Sequence, residues 1–269
     1  GNLEDMTFRA IQTLKEVDWI AAEDTRNTGL LLKHFDISTK QISFHEHNAK
    51  EKIPDLIGFL KAGQSIAQVS DAGLPSISDP GHDLVKAAIE EDIAVVTVPG
   101  ASAGISALIA SGLAPQPHIF YGFLPRKSGQ QKQFFESKKD YPETQIFYES
   151  PHRVADTLGN MLEFYGDRSV VLVRELTKIF EEYQRGKITE LLESISETPL
   201  KGECLLIVEG ASQEVEDKDE EDLFSEIQNR IQEGVKKNQA IKEVAKIYQW
   251  NKSQLYAAYH DWEENQEND

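Results

Sequence analysis

Cysteine is almost absent: Cys204 is the one thiol in 269 residues. No disulfide can close within the chain, and the run Cys204-Leu205-Leu206-Ile207-Val208 reads as a buried strand rather than a reactive site. Long apolar runs are missing as well. None approaches the ~18 residues of a membrane span, and no charged leader with an apolar stretch opens the chain. A reducing cytoplasm, away from membranes, is the expected setting. Positive charge is scarce: 28 Lys and Arg face 46 Asp and Glu, for a formal net charge of −18. A general nucleic-acid binder gains its affinity by neutralising phosphates, so a polyanion partner would need a local basic surface here.

What is present is an α/β alternation organised around one loop, Ser70-Asp71-Ala72-Gly73-Leu74-Pro75-Ser76-Ile77-Ser78-Asp79-Pro80-Gly81. It follows the apolar strand-like run 66–69 and precedes an amphipathic helical run over 82–91. Two Gly, two Pro, two Asp and three Ser give it one shape while leaving its backbone approachable. Ordinary βα turns run ~2–6 residues, and the carboxyl ends of strands are where open α/β sheets bind ligands.

Upstream, the first residues read as the end of a turn entering a helix, so a strand is expected before Gly1. Leu3, Met6, Ala10, Leu14 and Val17 give that helix an apolar face. The strand 18–22 ends in Glu23-Asp24-Thr25-Arg26, either part of a site or a surface turn in which Asp24 or Thr25 caps the next helix. A strand at 41–44 ends in His45-Glu46-His47-Asn48. His45 and His47 have no third ligand at a zinc-site spacing, so no metal is expected. After a helix over 49–61, the β-branched run Ile93–Val98 predicts a strand buried on both faces. Pro99-Gly100-Ala101-Ser102-Ala103-Gly104 then opens a small-residue helix to Ser111, with backbone amides available to a ligand. Neither a phosphate P-loop nor a G-x-G-x-x-G follows.

Gly112 to Pro117 reads as a hinge to a second domain. There, strands are expected at 118–124, 144–149, 169–176 and 204–209, helices at 151–164 and 188–196, and a further stretch near 180–187. Charge follows three of these strands: Arg126 and Lys127; Glu149, His152 and Arg153; Arg174, Glu175 and Lys178. Residues 211–222 form an acidic linker, and helical patterns at 222–233, 236–248 and 252–262 follow, the last opened by Asn251 and Gln254. That unit resembles a helix-turn-helix, a form more often a packing module than a reader of DNA.

Taken in order, Ala22–Arg26, Phe44–Asn48, Ser70–Gly73, Ile77–Gly81, Phe123–Lys127, Phe147–Arg153 and Arg174–Lys178 resemble the tetrapyrrole methylase superfamily over about residues 1–210. The resemblance implies two α/β domains, 1–114 and 115–210, with S-adenosylmethionine in the cleft between them. An acidic linker over 211–221 and a small helical module over 222–269 complete the expected plan. A homodimer is implied, and within the superfamily the motifs resemble its ribosomal-RNA branch, which implies 2′-O-methylation of a cytidine ribose in small-subunit ribosomal RNA, naked or in the assembled subunit. Carried over by position, the cofactor contacts are Asp71, Leu74, Ile77, Ser102, Ala103, Tyr148, Val173 and Cys204, with Gly202 nearby. Leu74 stands where the family usually has Thr, so a hydroxyl contact there is lost or was never essential. A ribose hydroxyl is a poor acid, and Glu23, Asp24, His45 or Glu149 could take its proton. Arg26, Arg126, Lys127, Arg153, Arg174 and Lys178 suit the flanking phosphates. A methyltransferase for a tetrapyrrole or other small molecule, and a non-catalytic RNA-binding factor, are the alternatives.

Overall fold

Packing within the chain separates two units, Gly1–Ala211 and Ser212–Asp269. The computed structural model describes residues 1–77, 81–197, 200–212, 219–248 and 250–267. Ser78, Asp79 and Pro80 of the long loop, and residues 213–218 of the expected acidic linker, lie outside the described residues.

The first unit begins with a 3-10 turn at Leu3–Asp5, then α1 (Phe8–Glu16), β1 (Trp19–Ala22), α2 (Thr25–His34), β2 (Lys40–Ser43), α3 (Ala49–Lys61), β3 (Ile66–Val69), α4 (His82–Glu90) and α5 (Ala103–Ser111). The α1 helix starts later than its apolar pattern suggests, because the Thr7 hydroxyl accepts from the Ala10 amide at 3.1 Å and caps it there. Leu14 of α1 packs with Ile20, Ala22, Leu32 and Ile37 on one side of the sheet; Ala21, Phe44, Leu56, Leu84 and Ala88 pack on the other. The sheet is parallel, in the order β2-β1-β3, and Ala22 stands level with both Ser43 and Val69. The three strands therefore end in one row, with Glu23, His45 and Asp71 just beyond it.

Ile93–Val98 departs from expectation. It joins no sheet, and Val95 and Val96 are 47% and 81% exposed. A β-branched run is suited to a pleated, buried surface but becomes a strand only beside a partner. Among the described residues this run pairs with neither free edge of the sheet, at β2 or at β3.

The second sheet comprises β4 (His118–Phe123), β5 (Thr144–Glu149), β6 (Ser169–Arg174), β7 (Glu182–Lys187) and β8 (Cys204–Val208), in the order β4-β5-β8-β6-β7. Interleaved are α6 (Ser128–Lys138), α7 (Val154–Tyr165) and α8 (Ile188–Glu197). Strand β8 runs antiparallel to both neighbours and is buried along its whole length, as its unbroken apolar run predicts. Alternation sorts the side chains. Ile146, Val171, Val173, Leu205 and Ile207 pack on α5 with Ala107 and Leu108. Phe147, Leu172, Cys204 and Leu206 face Phe135, Val154, Leu158 and Met161.

Helix α5 leaves the first sheet and lies on the second. A β-carbon on Gly104 would stand 3.2 Å from Phe120, so glycine there permits the close approach. At the other end, Arg185 of β7 donates to the carbonyls of Ser111 and Ala110 at 3.1 and 2.7 Å, placing a cation on the carbonyl end of α5.

The second unit holds α9 (Glu220–Gln232), α10 (Lys237–Ile247) and α11 (Lys252–Glu267), close to the three helical patterns in the sequence. Leu223, Phe224, Ile227, Ile241, Val244, Leu255 and Tyr259 form its core. Asn251 caps α11 by accepting from the Ser253 and Gln254 amides at 3.0 and 3.2 Å.

Candidate cofactor and substrate site

The loop after β3 is fastened to the loop after β1. Asp71 accepts from the Asp24 amide at 3.2 Å and from Asn27 Nδ2 at 2.8 Å, while its own amide donates to Glu23 Oε2 at 3.2 Å. Ser70 Oγ turns back to the Ala72 carbonyl. At the far end of the loop Gly81 has φ 149°, and a β-carbon there would stand 2.1 Å from Gln68 Nε2. No other residue fits that turn. Leu74 leans on the next loop, since a β-carbon at Gly100 would lie 3.4 Å from Leu74 Cδ2. The two small-residue loops singled out in the sequence are neighbours. Ile77 is half-exposed beside them, at 49%.

Asp24 caps α2 and ion-pairs with Arg26 at 2.6 Å, so both its oxygens are occupied. The hydrogen bond from the Arg26 side chain, then that from the Arg26 amide, holds its carboxyl down at about 2. Asp24 is thus an ionised anchor throughout the neutral range. Glu23 has one oxygen turned to the Asp71 amide. His45, half-buried beyond β2, donates its amide to Asn48 Oδ1, and its Nδ1 is buried without a hydrogen-bond partner among the described residues.

On the second sheet the named residues again fall in one row. Phe123 stands level with Tyr148, and Cys204 is opposite both Glu149 and Arg174. Tyr148, Leu205 and Val173 run side by side across three strands, on the face that carries α5. Tyr148 meets Phe120 and Phe123 edge-on at 5.0 and 5.5 Å between ring centres. Ser102 and Ala103 open α5 near this cluster, and Ser102 makes no side-chain hydrogen bond to cap the helix. Among the described residues the first amides of α5 therefore have no side-chain acceptor, a setting suited to a carboxylate.

Cys204 faces the other way, and burial pushes its thiol up to about 11, so only its backbone can serve the α5 face. Glu149 also points away from Tyr148. Its side chain is fully buried, accepting from Thr157 Oγ1 and the Ser150 amide at 2.8 Å each, and pairs with Arg153 at 3.4 Å. Thr157 is held in turn by Gln131, which Asn160 also meets. Arg153 further donates to the Pro125 carbonyl at 2.7 Å.

The other cations are held to different degrees. Arg174 donates twice to Glu182 Oε2, at 3.0 and 2.8 Å. Lys178 bridges Glu175 and Glu203 at 3.0 and 3.1 Å. The Glu203 amide and then Lys178 lower the Glu175 carboxyl. Gly202, with φ 87°, lets the backbone pass against Glu175, whose carboxyl carbon would lie 2.3 Å from a β-carbon there. Arg26 is paired only at the surface, 88% exposed, and Arg126 and Lys127 are exposed with no ion pair among the described residues. Sequence reasoning did not find Asn27, Glu182, Arg185 or the buried Gln131–Thr157–Asn160 chain. Asn27 follows Arg26 directly and was within reach of the motif; the others act through pairings that no local spacing signals.

Two α/β layers, with strand-end loops gathered near a helix start and aromatics beside it, place the chain among α/β proteins whose ligand sites lie beyond the strand ends. The model of the tetrapyrrole (corrin/porphyrin) methylases matches residues 1–192, and the chain belongs to that family. It is similar to ribosomal RNA small subunit methyltransferase I of Streptococcus pyogenes serotype M1, 74% identical over 97% of this chain and 92% of that one. The protein of the same name from Bacillus subtilis (strain 168) is 48% identical over 97% and 91%. Among solved structures, diphthine synthase aligns with a TM-score of 0.59 at 12% identity, covering 78% of this chain and 86% of the other. A cobalt precorrin-4 methyltransferase of cobalamin biosynthesis gives 0.56 at 14%, over 78% and 90%. These two likenesses show the fold. As a member of the family the chain is a methyltransferase using S-adenosylmethionine, and the uncapped α5 start, the open Leu74 loop and the half-exposed Tyr148 fit that cofactor.

Proposed function

We propose that this protein 2′-O-methylates a cytidine ribose of small-subunit ribosomal RNA. The observation that carries the reading is the likeness to relatives named for that RNA, which extends over 97% of the chain, cleft loops and helical unit included. When bound, S-adenosylmethionine supplies a methyl group already activated on a sulfonium. The protein's share is alignment and proton handling. The first amides of α5, with Ser102 and Ala103, would hold the cofactor's carboxylate, and Tyr148, Leu74 and Ile77 would wall its apolar parts; Val173 is buried under α5 and can offer only its backbone. Asp71 sets the loop rather than touching the substrate. Of the four proton acceptors suggested by sequence, Glu23 and His45 serve best, because Asp24 is occupied and Glu149 is buried on the other face. Arg26, Arg126 and Lys127 meet the phosphates flanking the target, where bidentate arginine contacts fix the strand. Exposed Ile179 and Phe180, at the turn between β6 and β7, offer apolar surface to a second copy in a homodimer.

Mass-spectrometric mapping of ribose methylation in small-subunit RNA from cells lacking the protein tests the reading. One 2′-O-methylcytidine should disappear and return with the purified enzyme and labelled cofactor. An unchanged methylation map, with label passing instead to a precorrin-type acceptor, would decide against RNA as the substrate.

A further inference from the structure

Charge in the helical unit alternates along the chain. Residues 219–233 carry six carboxylates and one arginine; residues 236–260 carry five lysines and one carboxylate, Glu243; the end of α11 turns acidic again with Asp261, Glu263, Glu264 and Glu267. Glu243 is turned to Arg230 of α9, at 3.3 Å, and Lys237 pairs with Glu263. Lys236, Lys242, Lys246 and Lys252 remain exposed, with no ion pair among the described residues. Within a chain of net charge −18, α10 and the first turn of α11 are locally basic.

Its lysines also stand where helix physics disfavours them. Lys236 and Lys252 occupy the N-terminal ends of α10 and α11, against the positive end of each helix dipole. Lys242 and Lys246 are like charges four apart on one side of α10. An anionic partner relieves both conflicts. Tyr256, 40% exposed, follows Lys252 by one turn on the same side of α11, so a ring and a cation are presented together. Phosphate beside a stackable base is the chemistry of a single-stranded nucleic acid.

We propose that the α10–α11 face, through Lys242, Lys246, Lys252 and Tyr256, is a second contact for the substrate RNA. This rests on the ribosomal-RNA reading above. A tethered contact raises the effective concentration of RNA at the catalytic unit without taking part in chemistry. Its loss should therefore raise KM for RNA and leave kcat alone.

The test compares the full chain with Lys242→Gln/Lys246→Gln/Lys252→Gln. The probe is an in-vitro transcribed fragment of small-subunit RNA, with binding followed by anisotropy across a salt series. The variant should bind about tenfold more weakly near 0.1 M salt, with a log–log salt slope shallower by about 2. S-adenosylmethionine affinity and kcat at saturating RNA should match wild type. Circular dichroism checks folding, and Glu220→Gln/Glu221→Gln on the acidic helix should not weaken RNA binding. Wild-type methylation with unchanged KM and slope in the lysine variant would overturn this surface alone. Loss of affinity for the assembled subunit but not for naked RNA would also overturn it, in favour of a protein partner. If the wild type neither binds nor methylates the RNA, the substrate reading falls, and this surface with it.

Discussion

Arg153→Ala should destabilise the first unit by roughly 3 kcal/mol, because it strips the partner from a fully buried carboxylate. In a unit of this size that is a fall in Tm of about 6–12 °C. Glu149 would keep its hydrogen bonds from Thr157 and Ser150 but lose its counter-charge. The loss also frees the Pro125 carbonyl and slackens the turn carrying Arg126 and Lys127. Urea unfolding of the single variant and of Glu149→Gln/Arg153→Ala separates the causes. The double variant should regain more than half of the lost stability, since no buried charge is left unpaired. The Pro125 carbonyl loses its Arg153 donor in both variants, so any weakening of RNA binding through the Arg126–Lys127 turn should be alike in the two. A log–log salt slope for RNA binding shallower by about one contact than that of wild type would instead make Arg153 a phosphate contact, the role its place beyond a strand suggests. Arg26→Ala, at an exposed pair, should leave the unfolding midpoint unchanged.

Ala103→Trp should abolish cofactor binding while sparing the fold. Ala103 is exposed in the first turn of α5, so an indole there meets no core atoms. It would cover the amides that lack a side-chain acceptor and crowd the space beside Tyr148. Titration calorimetry should show S-adenosylmethionine affinity reduced at least ~100-fold, roughly 2.7 kcal/mol, with Tm within about 2 °C of wild type. Normal affinity in this variant would move the cofactor elsewhere. The neighbouring residue provides contrast: Gly104 packs on Phe120 and Ile146, so bulk there acts on stability as well.

Strand-end positions were legible in the sequence because turn formers and charges punctuate apolar runs. The long loop, the α5 start and the rows of charge after β1, β5 and β6 were all found that way. Long-range pairing was not legible. The run 93–98 has strand composition without strand partners, and composition cannot count neighbours. Side-chain direction was the second blind spot. Tyr148 and Glu149 are adjacent in a motif, yet alternation sends one toward α5 and the other toward α7. Arg153 follows a strand with the look of a surface cation, and only the burial of Glu149 reveals its structural duty. Asp24 carries both readings weighed for it, cap and charged loop residue, because its two oxygens do both.

The two sheets are unequal, and the inequality has a consequence for motion. Among the described residues the second has five strands and a fully buried centre in β8; the first has three strands of four residues each, with one edge of β3 unpaired. Free energies of local opening follow such differences in burial and pairing, so the first sheet is the softer cooperative block. Its loops carry Glu23, His45 and the Leu74 segment, whereas α5 is moored to the stiffer sheet by Gly104 and Arg185. A ligand that touches both the Leu74 loop and the start of α5 acts as a splint between a compliant layer and a rigid one. Part of its binding free energy is then spent on quieting the weaker layer, and the ordering it imposes spreads to strands it never touches.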